Sequence, residues 1–489
     1  MLFNSFHFLI FFVVVFFVYY ALPHKFRWVL LLASSWYFYM CWKPIYILLL
    51  LATTVLSYVS ALLIERYESH GKLIVISFSA ICFAVLFYFK YLNFFCSSLN
   101  RLFTGLPFLP DLNIPFFNIV LPIGISFHTF QNVGYQLDVY RKEVSAERHF
   151  GYYALFGSYF PQLVAGPIER TANLLPQLKE EHHFTYENGS QGMRLVLIGL
   201  FKKVAIADSI AIYVDNVYNH VETFTGLPLI IATVLFAFQI YCDFSGYSDI
   251  ALGVSRMLGI NLMYNFRGPY LSKSVSEFWR RWHISLSTWF RDNVYIPLGG
   301  NRVKLPRHLI NLLITFSLSG MWHGASWNFF IWGALLGLFL CIEVLIRKAF
   351  RNRKNIPDAA KKEPPLKRIL KIVFVFILVD FAWIFFRANG FHDAIYIIRN
   401  LFTGIEFSLN YVRTSLVAMG FKTTTFVLTG ILLLCLVLLD NLNYEHTMEN
   451  RVGTWKAPVR YAFYLLLAVL VVVCIMFTAQ SQNFIYFQF

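Results

Sequence analysis

Charge is scarce in this chain. Only 14% of its 489 residues are Asp, Glu, Lys or Arg, and 58% are hydrophobic. Soluble domains carry about 25% charged and about 45–50% apolar residues. A soluble protein must still cover its surface with polar groups, so this composition excludes a soluble domain as well as disordered and fibrous classes. What it describes is an integral membrane protein. Cysteine is also sparse, with seven residues, no CxxC and no paired spacing. That excludes a disulfide framework, and the cysteines read as small core residues. There is no GxxxxGK[ST] or GxGxxG to drive an internally powered pump, and no GxSxG nucleophile elbow. HExxH and HxxxH are missing, and no Cys or carboxylate lies one helical turn from His323, so no metal site and no bound cofactor is expected. No internal repeat of the transporter kind is visible. The net charge of +15 would suggest nucleic acid in a soluble protein. Here the positions of the cations point to membrane lipid instead, with no nucleic-acid partner.

Long apolar runs are what the chain has in abundance. A membrane span needs about 20 mainly apolar residues. Clear candidates are 8–22, 27–42, 44–64, 73–95, 325–346, 422–440 and 459–479; less pure ones are 116–137, 190–214, 227–250, 308–322 and 372–387. The expected fold is all-α and polytopic, with about 12 transmembrane helices in a single membrane-embedded domain over 1–489. Segments 150–166, 275–291 and 391–402 are too short or too polar to cross and suit interfacial or re-entrant helices. The first 22 residues have no basic n-region and no small-residue cleavage site, and read as a retained span. If all candidates cross with the N-terminus outside, inside segments hold 31 of the 41 basic residues and outside loops hold six. The positive-inside rule then places both termini outside the cytoplasm. The weak point is 190–214, where Lys202 and Lys203 adjoin in mid-segment. Segment 347–371 is expected to be a basic cytoplasmic linker that meets anionic lipid.

Polar residues at membrane depth are costly and usually functional. They concentrate in three regions. In 272–300, Val275, Phe278, Trp279, Trp282, Leu286, Trp289 and Phe290 follow helical spacing, with His283 at the apolar edge. This is either an amphipathic helix on the inner surface or a re-entrant helix carrying Arg, Trp and His to a cavity, ended by a turn at Pro297, Gly299 and Gly300. In 316–328, His323 stands between Trp322 and Gly324 among small residues that let helices approach or break. It is either a satisfied core histidine or a functional one. In 239–249, Gln239, Asp243, Ser245, Tyr247 and Asp249 either line the mouth of a wet channel or pair with arginines and hold the core together.

The runs EFWRRWHISLSTWFRDNVYIPLGGNR (277–302) and SGMWHGASWNFFIWG (319–333) resemble the membrane-bound O-acyltransferase (MBOAT) family. So do LPIGISFHTFQNVGYQLDVYR (121–141), FPQLVAGPIER (160–170) and FIYFQF (484–489). Within that family the chain is most similar to the polysaccharide-acetylating members. The resemblance implies a site in a central tunnel within the membrane, with the family's near-invariant His at His323 and its second His at His283. It also implies a bacterial inner-membrane location, acetyl-CoA as cytoplasmic acyl donor, and export of the acetyl group to a polysaccharide through an extracytoplasmic esterase-like partner and the polymer export machinery. A thioester is already activated. Transfer to a hydroxyl therefore needs only a base and oxyanion stabilisation, for which a neutral imidazole serves near pH 7. Arg280, Arg281, Trp282, Trp322 and Asn328 are candidates for holding the donor. The alternatives are D-alanyl transfer from a carrier protein to teichoic acid, a proton-coupled transporter whose histidines relay protons, and a non-catalytic scaffold for polymer secretion.

Overall fold

The computed structural model describes residues 1–104, 113–164, 166–351, 364–444, 448–477 and 485. Residues 352–363 of the expected basic linker lie outside the described residues, as does all of the FIYFQF run except Ile485. Among the described residues the chain is all-helical, with no strand. Every candidate span falls on a helix, although in 116–137 the helix starts only at Ile125. Among the described residues, seven helices are long and apolar enough to cross a membrane: Tyr46–Arg66, Glu68–Thr104, Leu227–Met257, Trp327–Phe350, Pro365–Arg387, Thr423–Asn443 and Ala457–Met476. The other five candidates are helical but shorter or more polar. The chain divides into two compact units, Met1–Met193 with Ala251–Met263, and Arg194–Ile250 with Tyr264–Phe489.

In the first unit, the Tyr46–Arg66 helix buries Thr53, Thr54, Ser57, Ser60, Ala61 and Ile64 on one face, at the three-to-four-residue spacing of a single stripe. That stripe meets the Ile125–Tyr140 helix through polar contacts, which replace hydrophobic association as the glue between helices in lipid. The His128 ring lies 3.0 Å from Thr53 Oγ1 and 3.0 Å from Asn132 Nδ2, and its Nδ1 lies 3.1 Å from the Gly157 carbonyl. Tyr153 donates to Ser57 Oγ at 2.6 Å. Where the unit's two chain segments meet, Glu169 accepts from the Met263 amide at 2.6 Å and from Asn173 at 2.7 Å.

In the second unit, Gly199 and Gly246 mark a crossing without room for a side chain. A Cβ on either would sit 2.6 or 2.7 Å from the other's carbonyl oxygen. Beyond that crossing the chain widens into a π-helical stretch, Phe201–Asp208, with Lys202 and Lys203 both buried. Lys202 pairs with Asp249 at 2.8 Å; Lys203 pairs with Asp208 at 2.8 Å and Asp243 at 2.5 Å. The second oxygen of Asp243 accepts from the Ile485 amide at 2.6 Å. The adjacent buried lysines are thus each met by carboxylates, Lys202 by Asp249 and Lys203 by Asp208 and Asp243. The carboxylates of 239–249 pair with lysines rather than arginines.

Helix 272–300 is not continuous. Val275–Trp279 and Ile284–Phe290 are separate short helices, followed by a π-helical turn at Arg291–Tyr295. Helical spacing continues across 280–283, but His283 adopts φ 42, ψ 55. The first helix has already ended at Trp279; the left-handed His283 caps the second and re-aims it. The turn at Gly299 and Gly300, with φ of 103 and 54, forms as the sequence suggests.

Candidate active site

His323 is the last residue of the Leu305–His323 helix, and Gly324 follows in extended conformation. The chain then returns as Trp327–Arg351. The two arms cross at Gly320 and Gly333, where a Cβ on either would lie 2.2 Å from a backbone carbonyl of the other arm. That contact draws Trp332 against His323, with ring centroids 5.1 Å apart and nearly perpendicular at 88°. Phe386, from the Pro365–Arg387 helix, stands 5.6 Å from His323, and Trp322 stands 5.0 Å away.

His283 reaches the same place from the break between the two short helices. Its ring centroid is 6.2 Å from that of His323 and 5.9 Å from Trp322. Phe244 closes the other side, edge-on at 4.7 Å. His283 is fully buried and His323 nearly so. Burial lowers the His283 imidazole to about 3, because charging it there would forfeit its hydration. At physiological pH it is a neutral donor–acceptor. A left-handed conformation in a non-glycine residue costs on the order of 1–3 kcal/mol and persists only where the surroundings hold it. Among the described residues, Lys142 is the other such non-glycine position.

The remaining sequence candidates take different places. Trp322 joins the two histidines. Trp282 packs in an adjoining aromatic cluster, 5.1 Å from Phe266, 5.5 Å from Phe278 and 5.1 Å from Trp383, and Trp383 in turn lies 5.3 Å from Trp332. Asn328 is buried and donates to the Ala388 carbonyl at 3.1 Å, tying the hairpin to the end of the Pro365–Arg387 helix. Arg281 is occupied: it bonds Glu277 at 3.1 Å and the Tyr444 carbonyl at 3.0 Å, and its guanidinium lies 3.6 Å over the Tyr444 ring. Burial opposes ionisation of Glu277, but hydrogen bonds from the Tyr444 hydroxyl and the Lys273 amide, with the Arg281 charge, outweigh it and hold the carboxyl below its usual range. Arg280 is exposed. Among the described residues no group of three or more His, Cys, Asp or Glu is placed to hold a metal.

Sequence reasoning did not single out Phe244, Trp332 or Phe386 as neighbours of the imidazoles. Trp332 sits inside the run that carries the family resemblance; nothing local marks Phe244 or Phe386. The arrangement places two imidazoles in a buried aromatic enclosure. It suits removing a proton from a weak nucleophile beside an electrophile that needs no further activation.

The chain is a membrane acyltransferase and belongs to the membrane-bound O-acyltransferase family. The family model, described as MBOAT, matches residues 141–379. The chain is 40% identical over 395 residues to a probable alginate O-acetylase AlgI of Azotobacter vinelandii, covering 80% of this chain and 76% of the relative. It is 34% identical over the full length of both chains to a probable alginate O-acetylase AlgI of Pseudomonas putida. A peptidoglycan O-acetyltransferase of Helicobacter pylori is 33% identical over 399 residues, 76% of this chain and 73% of that one.

Proposed function

We propose that this acyltransferase moves an acetyl group from acetyl-CoA, held on the cytoplasmic side of a bacterial inner membrane, to the outer side for O-acetylation of an exported polysaccharide. The observation that carries this reading is the meeting of His283 and His323 within one buried aromatic enclosure. In the proposed step His323 takes the proton from the acceptor hydroxyl as its oxygen attacks the thioester carbonyl. The C–S bond breaks, the new C–O bond remains, and the thiolate recovers a proton to leave as free CoA. His283 orients donor or acceptor. Both termini face outward, and Arg280 with its basic neighbours faces the donor side. Alginate is the first acceptor to try, given the names of the relatives, with an esterase-like extracytoplasmic partner completing delivery.

The test is donor turnover. Purified protein given acetyl-CoA, deacetylated alginate oligomers and the esterase-like partner should release CoA and acetylate the polymer. Release from a D-alanyl carrier protein and none from acetyl-CoA would replace the donor. Turnover of neither would overturn the reading.

A further inference from the structure

The left-handed turn at His283 is templated by one segment. The extended stretch that includes 265–267 runs beside it and binds it on both flanks: the Arg267 amide donates to the Arg281 carbonyl at 3.0 Å, and the Ile284 amide donates to the Asn265 carbonyl at 3.0 Å. The side chain of Asn265 adds a third hold. Its Oδ1 accepts from the Ser285 hydroxyl at 2.6 Å and from the Ser285 amide at 3.3 Å. Its Nδ2 reaches Ser248 Oγ at 3.4 Å, on the same long helix that presents Phe244 to His283. Asn265, Ser285 and Ser248 are all essentially inaccessible to water.

We infer that Asn265 is a positioning residue for the acyl-transfer site: it clamps the turn so that the His283 ring stays against His323. The amide suits the task because one side chain offers an acceptor to Ser285 and a donor to Ser248. Without it the strained turn has a cheaper right-handed alternative, which would swing the imidazole out of the enclosure. A misplacement of about 1 Å in such a site costs up to about 100-fold in rate. This inference rests on the proposed reaction, and the experiment separates the two.

CoA release from acetyl-CoA, with deacetylated alginate oligomers present, is measured for wild type, Asn265→Ala, His283→Ala and the double variant. Asn265→Ala should lose about tenfold to 100-fold in kcat, with KM for acetyl-CoA within about twofold. In the His283→Ala background the same substitution should add no further loss, since the ring it positions is gone. An equal loss in both backgrounds, or no loss in either, overturns the clamp. An unchanged rate for His283→Ala alone overturns instead the reading of the site. Should Asn265→Ala fail to fold, Ser285→Ala removes only the 2.6 Å hydroxyl bond. Its smaller loss should likewise vanish without His283, and persistence there counts against the clamp.

Discussion

The His283 and His323 rings lie 6.2 Å apart, although forty residues separate them in the chain. Two unrelated devices bring them together. One is the left-handed backbone at His283; the other is the tight crossing of helices at Gly320 and Gly333. Each makes a distinct demand on the sequence, and each is open to test.

Removing the His323 imidazole should abolish acyl transfer without abolishing the fold. A positioned base contributes about 10²–10⁴ in rate, so His323→Ala should fall by at least that factor. The protein should still insert and still bind acetyl-CoA, because the ring is the last side chain of the Leu305–His323 helix, whose own backbone bonds do not involve it. A covalent acyl-imidazole is the rival mechanism, and mass spectrometry after acetyl-CoA exposure separates the two: acetylated His323 without acceptor would replace the base role. Near-normal transfer by a folded variant would remove His323 from the reaction.

The hairpin crossing should be intolerant of a single methyl group. A Cβ at Gly320 or Gly333 meets a main-chain carbonyl at 2.2 Å, and neither helix can yield without moving His323 or Trp332. Gly320→Ala and Gly333→Ala should each destabilise by about 1–3 kcal/mol or more, the usual cost of overpacking. Gly430 lies in mid-helix with nothing within 4 Å of an added Cβ. Gly430→Ala should stabilise by about 0.5–1 kcal/mol, as it removes backbone freedom without a clash. Thermal unfolding of the three variants in one detergent makes the comparison.

Adjacent arginines should behave differently. Arg280 is exposed, so Arg280→Glu should raise the apparent KM for acetyl-CoA by about fivefold or less at low salt, with the effect fading as salt screens it. Arg281 is engaged by Glu277 and Tyr444. Arg281→Glu would set two carboxylates together there, and its loss should show in thermal stability at any salt. Equal, salt-sensitive KM effects at both positions would place Arg281 in the donor site after all.

The spans were legible because each apolar run is a local property: length and composition suffice to mark a helix in lipid. The helix break at His323 was legible for a related reason, since the Gly and Ser residues around it already mark it. The distant partners of Lys202 and Lys203 were not. Asp243 and Asp249 lie some forty residues away, and the Gly199–Gly246 crossing that joins them has no signature in either segment alone. The break at His283 was hidden because apolar spacing runs on across it. Its cause, the template segment at 265–267, is a tertiary contact that periodicity does not register. Phe244 and Phe386 reach the histidines from helices whose many other aromatics look the same in sequence.

Glu169 should make the protein's stability fall as pH rises through neutrality. Burial raises its carboxyl to about 7, against the pull of the hydrogen bonds from the Met263 amide and Asn173. The residue lies between helices, outside the membrane spans. A carboxyl whose pKa is higher in the folded state than the unfolded value near 4.5 binds its proton more tightly when folded. Its contribution is therefore fully present below about 4.5 and is lost as pH rises through about 7. The loss on full ionisation is on the order of a few kcal/mol, enough to appear as a downward slope in melting temperature between about pH 4.5 and 7.5 that levels off above. Gln at this position has no proton to lose, so Glu169→Gln should flatten the slope while keeping an acceptor for the Met263 amide. If the wild type instead gains stability over that range and Glu169→Gln leaves the profile unchanged, Glu169 is held ionised by its two donors and the burial argument is wrong.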